Sequence, residues 1–333
     1  MSGDDRPNLP RLTNIAPLPQ TFAETVALLA AIALQTFAAA ATEQQLYYHN
    51  EDHIRNVQRR SRQIFNTIYP ALERESPGCD RTRMELLLDL CAVTHDWVQI
   101  FEPSTQAHAT RWRKSGSSEQ ATIDLLLQQI DNLNQQLDYH PNHPAKLTDA
   151  DIATLREAIT ATICVFDPVE RSIYQPLLYQ SERPIAIVPR ILALADLGAL
   201  GIDGIEEFNR EGCLLFLEEN PDVVPLLQNG SIHTLPQTHP SLAENIRLRL
   251  LKRANFQVNF AKSRLARLPK ELEGFPRAII PPLIEQIFCY LTPATIEVIT
   301  TITPTHPETP LNVLLEFFQL DRCLASALTF GSQ

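Results

Sequence analysis

Ten glycines in a chain of 333 residues are too few for a Gly-rich phosphate loop or for a fold dense in hairpins. The sequence also has no CxxC pair. Cys79, Cys91, Cys164, Cys213, Cys289 and Cys323 are scattered, several of them in apolar settings such as LLDLCAV and ATICVF. That distribution excludes a disulfide framework and a thiolate zinc cluster, and it is the pattern of reduced, buried thiols in a cytoplasmic protein. Positive charge is in deficit, with 28 Lys and Arg against 39 Asp and Glu and a net charge of −11. A long nucleic acid is therefore disfavoured as a partner, because sequence-independent binding needs a basic footprint. A small phosphate ester is not excluded, since a metal and a few arginines supply local positive potential. The N-terminus lacks the basic-then-apolar order of a signal peptide. The most apolar run, Val26 to Ala41, is alanine-rich and interrupted by Gln35 and Thr36, and it falls short of a comfortable membrane span. It is expected to be a core helix, with no membrane partner.

What the chain does contain is proline, 25 in all, which suits helices separated by firm corners. Hydrophobic residues make up 44% and charged residues 20%, a balance that excludes wholesale disorder. There is no internal repeat and no convincing alternating strand, so the expected class is all-α. Residues 1–20, with Pro7, Pro10, Pro17 and Pro19, read as an extended tail. Thr21 to about Gln45 is predicted helical. From Asp52, the apolar steps Ile54, Val57, Ile64, Phe65 and Ile68 predict a core-facing helix that ends at Pro70. Further helices are expected through MELLLDLCAVTHDW, from Ser117 (capping with Gln120) to about Leu137, over Asp151–Val165 and over Ile187–Leu200. Beyond these, Leu242–Leu268, Leu283–Cys289 and Leu311–Leu328 also read as helical. A boundary is placed near residue 212, after which residues 213–333 form a helical C-terminal extension that either stands apart or packs on the first domain.

Four pieces of the sequence carry chemistry: Tyr48-His49-Asn50 with His53; His95-Asp96; Ser118-Glu119; and Asp196. His49 and His53 lie four apart at a helix start, a spacing that turns both imidazoles the same way. His95 and Asp96 close an apolar helix. Asp196 interrupts ILALADLGALG, where a buried carboxylate is costly unless a cation offsets its desolvation. Two imidazoles and two carboxylates form a mixed N/O set suited to a six-coordinate divalent metal with open water positions. Of the cluster Arg55, Arg59, Arg60 and Arg62, three share a helical face in the neighbourhood of His53, which makes Arg59 a candidate for substrate phosphate beside a plain solvated face. Arg111, Arg113 and Lys114 read either as a lid or as a flexible basic turn.

The order YHNxxH, then HD, then a distant Asp in an apolar helix resembles the HD superfamily of metal-dependent phosphohydrolases, over residues 21–212. YHNEDHIRNV is similar to a signature of the cyclic-nucleotide phosphodiesterases, and ILALADLGALG to the last-ligand helix of predicted HD phosphohydrolases. The resemblance implies an HD-domain helical bundle with His53, His95, Asp96 and Asp196 as metal ligands. His49 would protonate the leaving group, Asp96 would align the attacking water, and Glu119 would contact substrate from the start of the next helix. It further implies hydrolysis of a phosphomonoester or phosphodiester, a nucleotide or another small phosphorylated molecule, by water activated on Mn, Mg, Fe, Co or Zn. Two departures stand out. Gln99 occupies a position that is often a glutamate, and ITATICVFD lacks the histidines of binuclear members, so one ion per chain is expected. The second reading, from a different class, is a non-catalytic HD-fold module that binds a metal or nucleotide and regulates.

Overall fold

The computed structural model describes residues 17–75, 77–103, 106, 108–137, 143–180 and 185–330, and these are all-α apart from one small hairpin. In chain order the elements are α1 (Phe22–Gln44), α2 (Glu51–Glu75), α3 (Arg81–Thr94), α4 (Ser117–Gln136) and α5 (Asp149–Ala161), then the strands β1 (Val165–Asp167) and β2 (Ser172–Tyr174). There follow α6 (Ile187–Asp196), α7 (Ile205–Glu219), α8 (Val224–Gln228), α9 (Leu235–Thr238), α10 (Pro240–Leu272), α11 (Ile280–Pro282), α12 (Pro293–Ile302), α13 (Leu311–Phe318) and α14 (Leu320–Phe330). Most of the expected N-terminal tail lies outside the described residues.

Helix α1 starts where the Thr21 hydroxyl accepts the Glu24 N–H at 3.2 Å and the Glu24 carboxylate takes the Gln20 N–H at 2.6 Å. It is long and apolar enough to cross a membrane by composition. Here Phe22, Val26, Leu29, Ala33 and Phe37 form a buried stripe against α3, and Trp97 ties the helix down by donating to the Thr36 hydroxyl at 2.6 Å. All six cysteines are free, with Cys91 and Cys213 buried.

Helix α2 buries the face its spacing predicts, through Ile54, Val57, Ile64, Phe65 and Ile68. It does not stop at Pro70 but continues to Glu75, because Ile68, Tyr69 and Ala71 are all buried around the proline. Apolar burial on that scale outweighs one missing N–H. Other boundaries also differ from expectation. Gly116, at φ +82°, turns the chain into α4 in a conformation that favours glycine, so Ser117 does not cap and Gln120 bonds Asp124 instead. Helix α5 begins two residues early, because Thr148 and Asp151 form a reciprocal capping box. It ends at Ala161, and the chain then enters the unexpected hairpin, with Val165 opposite Tyr174 and Asp167 opposite Ser172. Strands of three residues are too short to show alternation. This pair is held from outside, by Arg267 on α10 reaching Asp167 at 2.6 Å and Glu170 at 2.7 Å. Leu283–Ile287 is a single wide π turn, and Gln319, at φ +47°, divides the expected helix over 311–328 in two.

Position 212 falls inside α7 rather than between elements. Both α7 and α10 feed two apolar cores. Phe208 and the Val258–Leu272 half of α10 join the core made by α1 to α6, whereas Cys213–Leu217 and the Ala243–Ala254 half pack with α13 and α14. The α7 junction is fastened by Arg60. This fully buried guanidinium of α2 pairs with Asp203 at 2.7 Å and with Glu211 of α7 at 2.6 Å, so its charge is offset on both sides.

Candidate metal centre

Helices α2, α3 and α6 pack against one another pairwise, and their ends meet at one point. The Asn50 side chain accepts the His53 N–H at 3.0 Å, which caps α2 and places His53 in its first turn. His95 is the C-cap of α3 with Asp96 immediately after it, and Asp196 is the last residue of α6 rather than mid-helix as expected. Two helix C-termini and two carboxylates therefore converge, a combination of partial and full negative charge that favours a cation.

The donor atoms of His53, His95, Asp96 and Asp196 all lie within 4.8 Å of one another. The two imidazole Nε2 atoms approach to 3.3 Å. Asp96 Oδ2 lies 3.0 Å from His95 Nε2 and 3.3 Å from His53 Nε2, and Asp196 Oδ1 lies 3.6 Å and 3.5 Å from the same two atoms. The surrounding groups orient these ligands. His95 Nδ1 is 3.0 Å from the Ala92 carbonyl, which only accepts, so Nδ1–H points outward and Nε2 faces the centre. Gln99 Nε2 donates to Asp96 Oδ1 at 3.2 Å, and Gln175 Nε2 donates to Asp196 Oδ2 at 3.3 Å. His53 Nδ1 is buried without a hydrogen-bond partner among the described residues.

The electrostatics agree with that reading. Burial works against ionising His53 and His95, yet Asp196 and Asp96 outweigh it and hold both imidazoles above their ordinary pKa. Burial likewise works against the Asp196 carboxylate, but the two histidines bring it down to about 2. Two anions sharing a pocket with two imidazole nitrogens, all aimed inward, fit a divalent cation of the Mn, Mg, Fe, Co or Zn class. Among the described residues this is the one such group. His108 pairs with Asp222 at 3.1 Å, His143 accepts the Ala145 N–H at 3.2 Å, and His140 lies outside the described residues.

His49 sits just before α2, with Nε2 3.7 Å from Asp96 Oδ2 and Nδ1 2.5 Å from Glu218 Oε1. Glu218, near the end of α7, also accepts the Tyr48 and His49 N–H groups at 3.0 Å each. Sequence reasoning missed this residue. The signal for it was a carboxylate in the last turn of a helix, where the dipole disfavours negative charge, so that a local partner was needed. Burial alone would raise the Glu218 pKa, but His49, Arg113 and the backbone donors bring it down to about 2. A folded pKa below the unfolded value stabilises above the ordinary carboxylate range and is lost as pH falls through it. The stability gap between wild type and Glu218→Gln is accordingly expected to hold at pH 6 and to close between about pH 4 and 2. Chemical denaturation across that range checks it, and a gap independent of pH contradicts it.

The remaining expected residues divide. Glu119, in the first turn of α4, lies within the field of Asp96, Asp196 and Arg113, and burial raises its carboxyl pKa. Arg59 is not brought to the cluster: it is half-exposed and engages Asp203 at 2.8 Å, together with Asn56 and Gln63. The helical turn from His53 to Arg59 carries its side chain toward the α6–α7 connection. The arginine that does reach the site comes from the segment read as a lid or a flexible turn. Arg111 there donates to the carbonyls of Glu218, Gln44 and Gln45 at 2.5, 2.8 and 2.9 Å, pinning the chain to the ends of α7 and α1. Two residues on, Arg113 Nη1 lies 3.0 Å from His49 Nε2 and also donates to Gln99 Oε1.

No protein-family model, no curated protein and no solved structure matches this chain.

Proposed function

We propose that the four-residue cluster binds one divalent cation and that the chain hydrolyses small phosphate esters, in the manner of the HD phosphohydrolases its sequence resembles. The observation that carries this reading is the convergence of His53, His95, Asp96 and Asp196 from three helices, with all donor atoms within 4.8 Å. When bound, a divalent cation supplies Lewis acidity toward a phosphoryl oxygen and lowers the pKa of water. The chain's own residues supply orientation and protons. Gln99 fixes Asp96 by its Oδ1, which leaves Oδ2 directed into the cluster to align the attacking water. His49 gives a proton to the departing oxygen from Nε2, and the Glu218 carboxylate at Nδ1 offsets the positive charge of the imidazolium that does so. Glu119, within the field of Asp96, Asp196 and Arg113, is the carboxylate this reading assigns to substrate contact. The partner is a small phosphorylated molecule, and a nucleotide belongs to that class.

A second reading, a metal- or nucleotide-binding regulatory module without turnover, is favoured by two observations. Gln99 is neutral, and the Arg113 contact occupies the Nε2 atom of His49. The two readings separate on a panel of p-nitrophenyl phosphate, bis(p-nitrophenyl) phosphate and nucleoside mono- and cyclic phosphates, with Mn²⁺, Mg²⁺, Co²⁺, Fe²⁺ or Zn²⁺ added in turn. Hydrolysis that depends on the metal and is abolished by EDTA is expected. Turnover indifferent to chelation refutes the hydrolase reading. So does a panel with no turnover in which a nucleotide raises the melting temperature.

A further inference from the structure

We infer that Arg113 is the phosphate-receiving residue of the site, and that Gln99 and His49 hold it in place until an anionic substrate takes it over. The inference rests on the hydrolase reading for its location and adds to it the group that reads the substrate's charge.

An arginine among this many carboxylates commonly pairs with one, as Arg60, Arg253 and Arg249 do elsewhere in the fold. Arg113 makes no ion pair among the described residues. Its two hydrogen-bond partners, His49 Nε2 and Gln99 Oε1, are both served by the single atom Nη1, and the guanidinium carbon lies 5.8 Å from the centroid of the Phe101 ring. Nε–H and both Nη2 N–H groups have no acceptor among the described residues, and the side chain is only partly buried. A planar fork of uncommitted donors next to a cation-binding cluster matches the geometry that phosphate oxygens accept.

Residue 99 makes this arrangement possible. An amide can donate to Asp96 with Nε2 and accept from Arg113 with Oε1 at once. A carboxylate at that position could not donate to Asp96 and would neutralise the guanidinium. With an amide at position 99 no carboxylate is hydrogen-bonded to the guanidinium, although Glu218, Asp96, Glu219 and Glu119 lie within its field, and its remaining donors stay open to a phosphate. Arginine only donates, so while Arg113 holds His49 Nε2 that atom acts as an acceptor, and a phosphate that draws Arg113 away releases it. The neighbouring Arg111, tied to three carbonyls, keeps the segment in place while the Arg113 side chain changes partners.

Inorganic phosphate is the probe, titrated calorimetrically into the full chain with and without Mn²⁺, with metal content measured in parallel. Wild type is expected to bind phosphate. Arg113→Gln is expected to keep its Mn²⁺ and lose about ten- to hundredfold in phosphate affinity, the loss typical of a hydrogen bond to a charged group. Arg113→Lys, which keeps the charge but not the fork, is expected to fall between them. Phosphate affinity unchanged in Arg113→Gln, or absent from wild type, overturns the inference. If wild type takes up no Mn²⁺ yet binds phosphate in an Arg113-dependent way, the inference stands and the metal-dependent hydrolase reading fails.

Discussion

Asp196→Ala is expected to leave the helical fold in place and to reduce divalent-ion affinity well over about a hundredfold. That figure is the upper end of what removing a group behind a ligand costs, and here a ligand itself is lost. Asp196 ends α6, and its side chain takes part in the cluster and in the single Gln175 contact, so little of the core depends on it. Hydrolysis is expected to fall with the metal, and excess Mn²⁺ to restore part of it. Metal analysis after gel filtration, with circular dichroism as the fold control, reads both outcomes. Full metal occupancy in Asp196→Ala and His95→Ala combined removes the site from these residues.

His49→Ala is expected to behave differently. The four ligands remain, so the protein keeps its metal, while turnover falls by about a hundredfold to ten-thousandfold, the usual contribution of a positioned general acid. The loss should be larger for an alkyl phosphate than for a nitrophenyl phosphate, because a nitrophenolate leaves without a proton. Glu218→Gln should give a smaller loss in the same direction, since it keeps a partner at His49 Nδ1 but removes the charge that stabilises imidazolium. Equal losses for the two esters exclude His49 as the acid.

How much of this could be read from the residues depended on how local the causes were. The helical class and the buried faces of α1 and α2 were legible because apolar spacing records burial directly. The helix start at His49–His53 was legible too, but the Asn50 cap that fixes His53 within its turn went unread. His95, Asp96 and Asp196 stood out because polar groups in apolar helices need a partner, and His53 by its place four residues after His49 at a helix start; the folded chain brings all four together. The starts of α4 and α5 were misread although their causes, Gly116 and the Thr148–Asp151 box, are local, and the other failures came where a distant residue decided the outcome. Glu218 meets His49 across 169 positions of sequence, and nothing near His49 announces it. The β1–β2 hairpin depends on Arg267, nearly a hundred residues downstream. Arg59 shared the nominal face of His53, but Asp203 claimed its guanidinium. Arg113 was hidden in an irregular segment whose order comes from Arg111 reaching the ends of α1 and α7.

That two imidazoles and two carboxylates of this chain hold one divalent cation is the proposal on which the others depend. Pulsed electron paramagnetic resonance on the Mn²⁺-loaded protein tests it directly, because nitrogen couplings count the histidines bound to manganese. One Mn²⁺ per chain is expected, coupled to two imidazole nitrogens, with one coupling lost in His53→Ala and the other in His95→Ala. A manganese spectrum of the hydrated ion with no nitrogen coupling, or couplings untouched by both substitutions, contradicts the account.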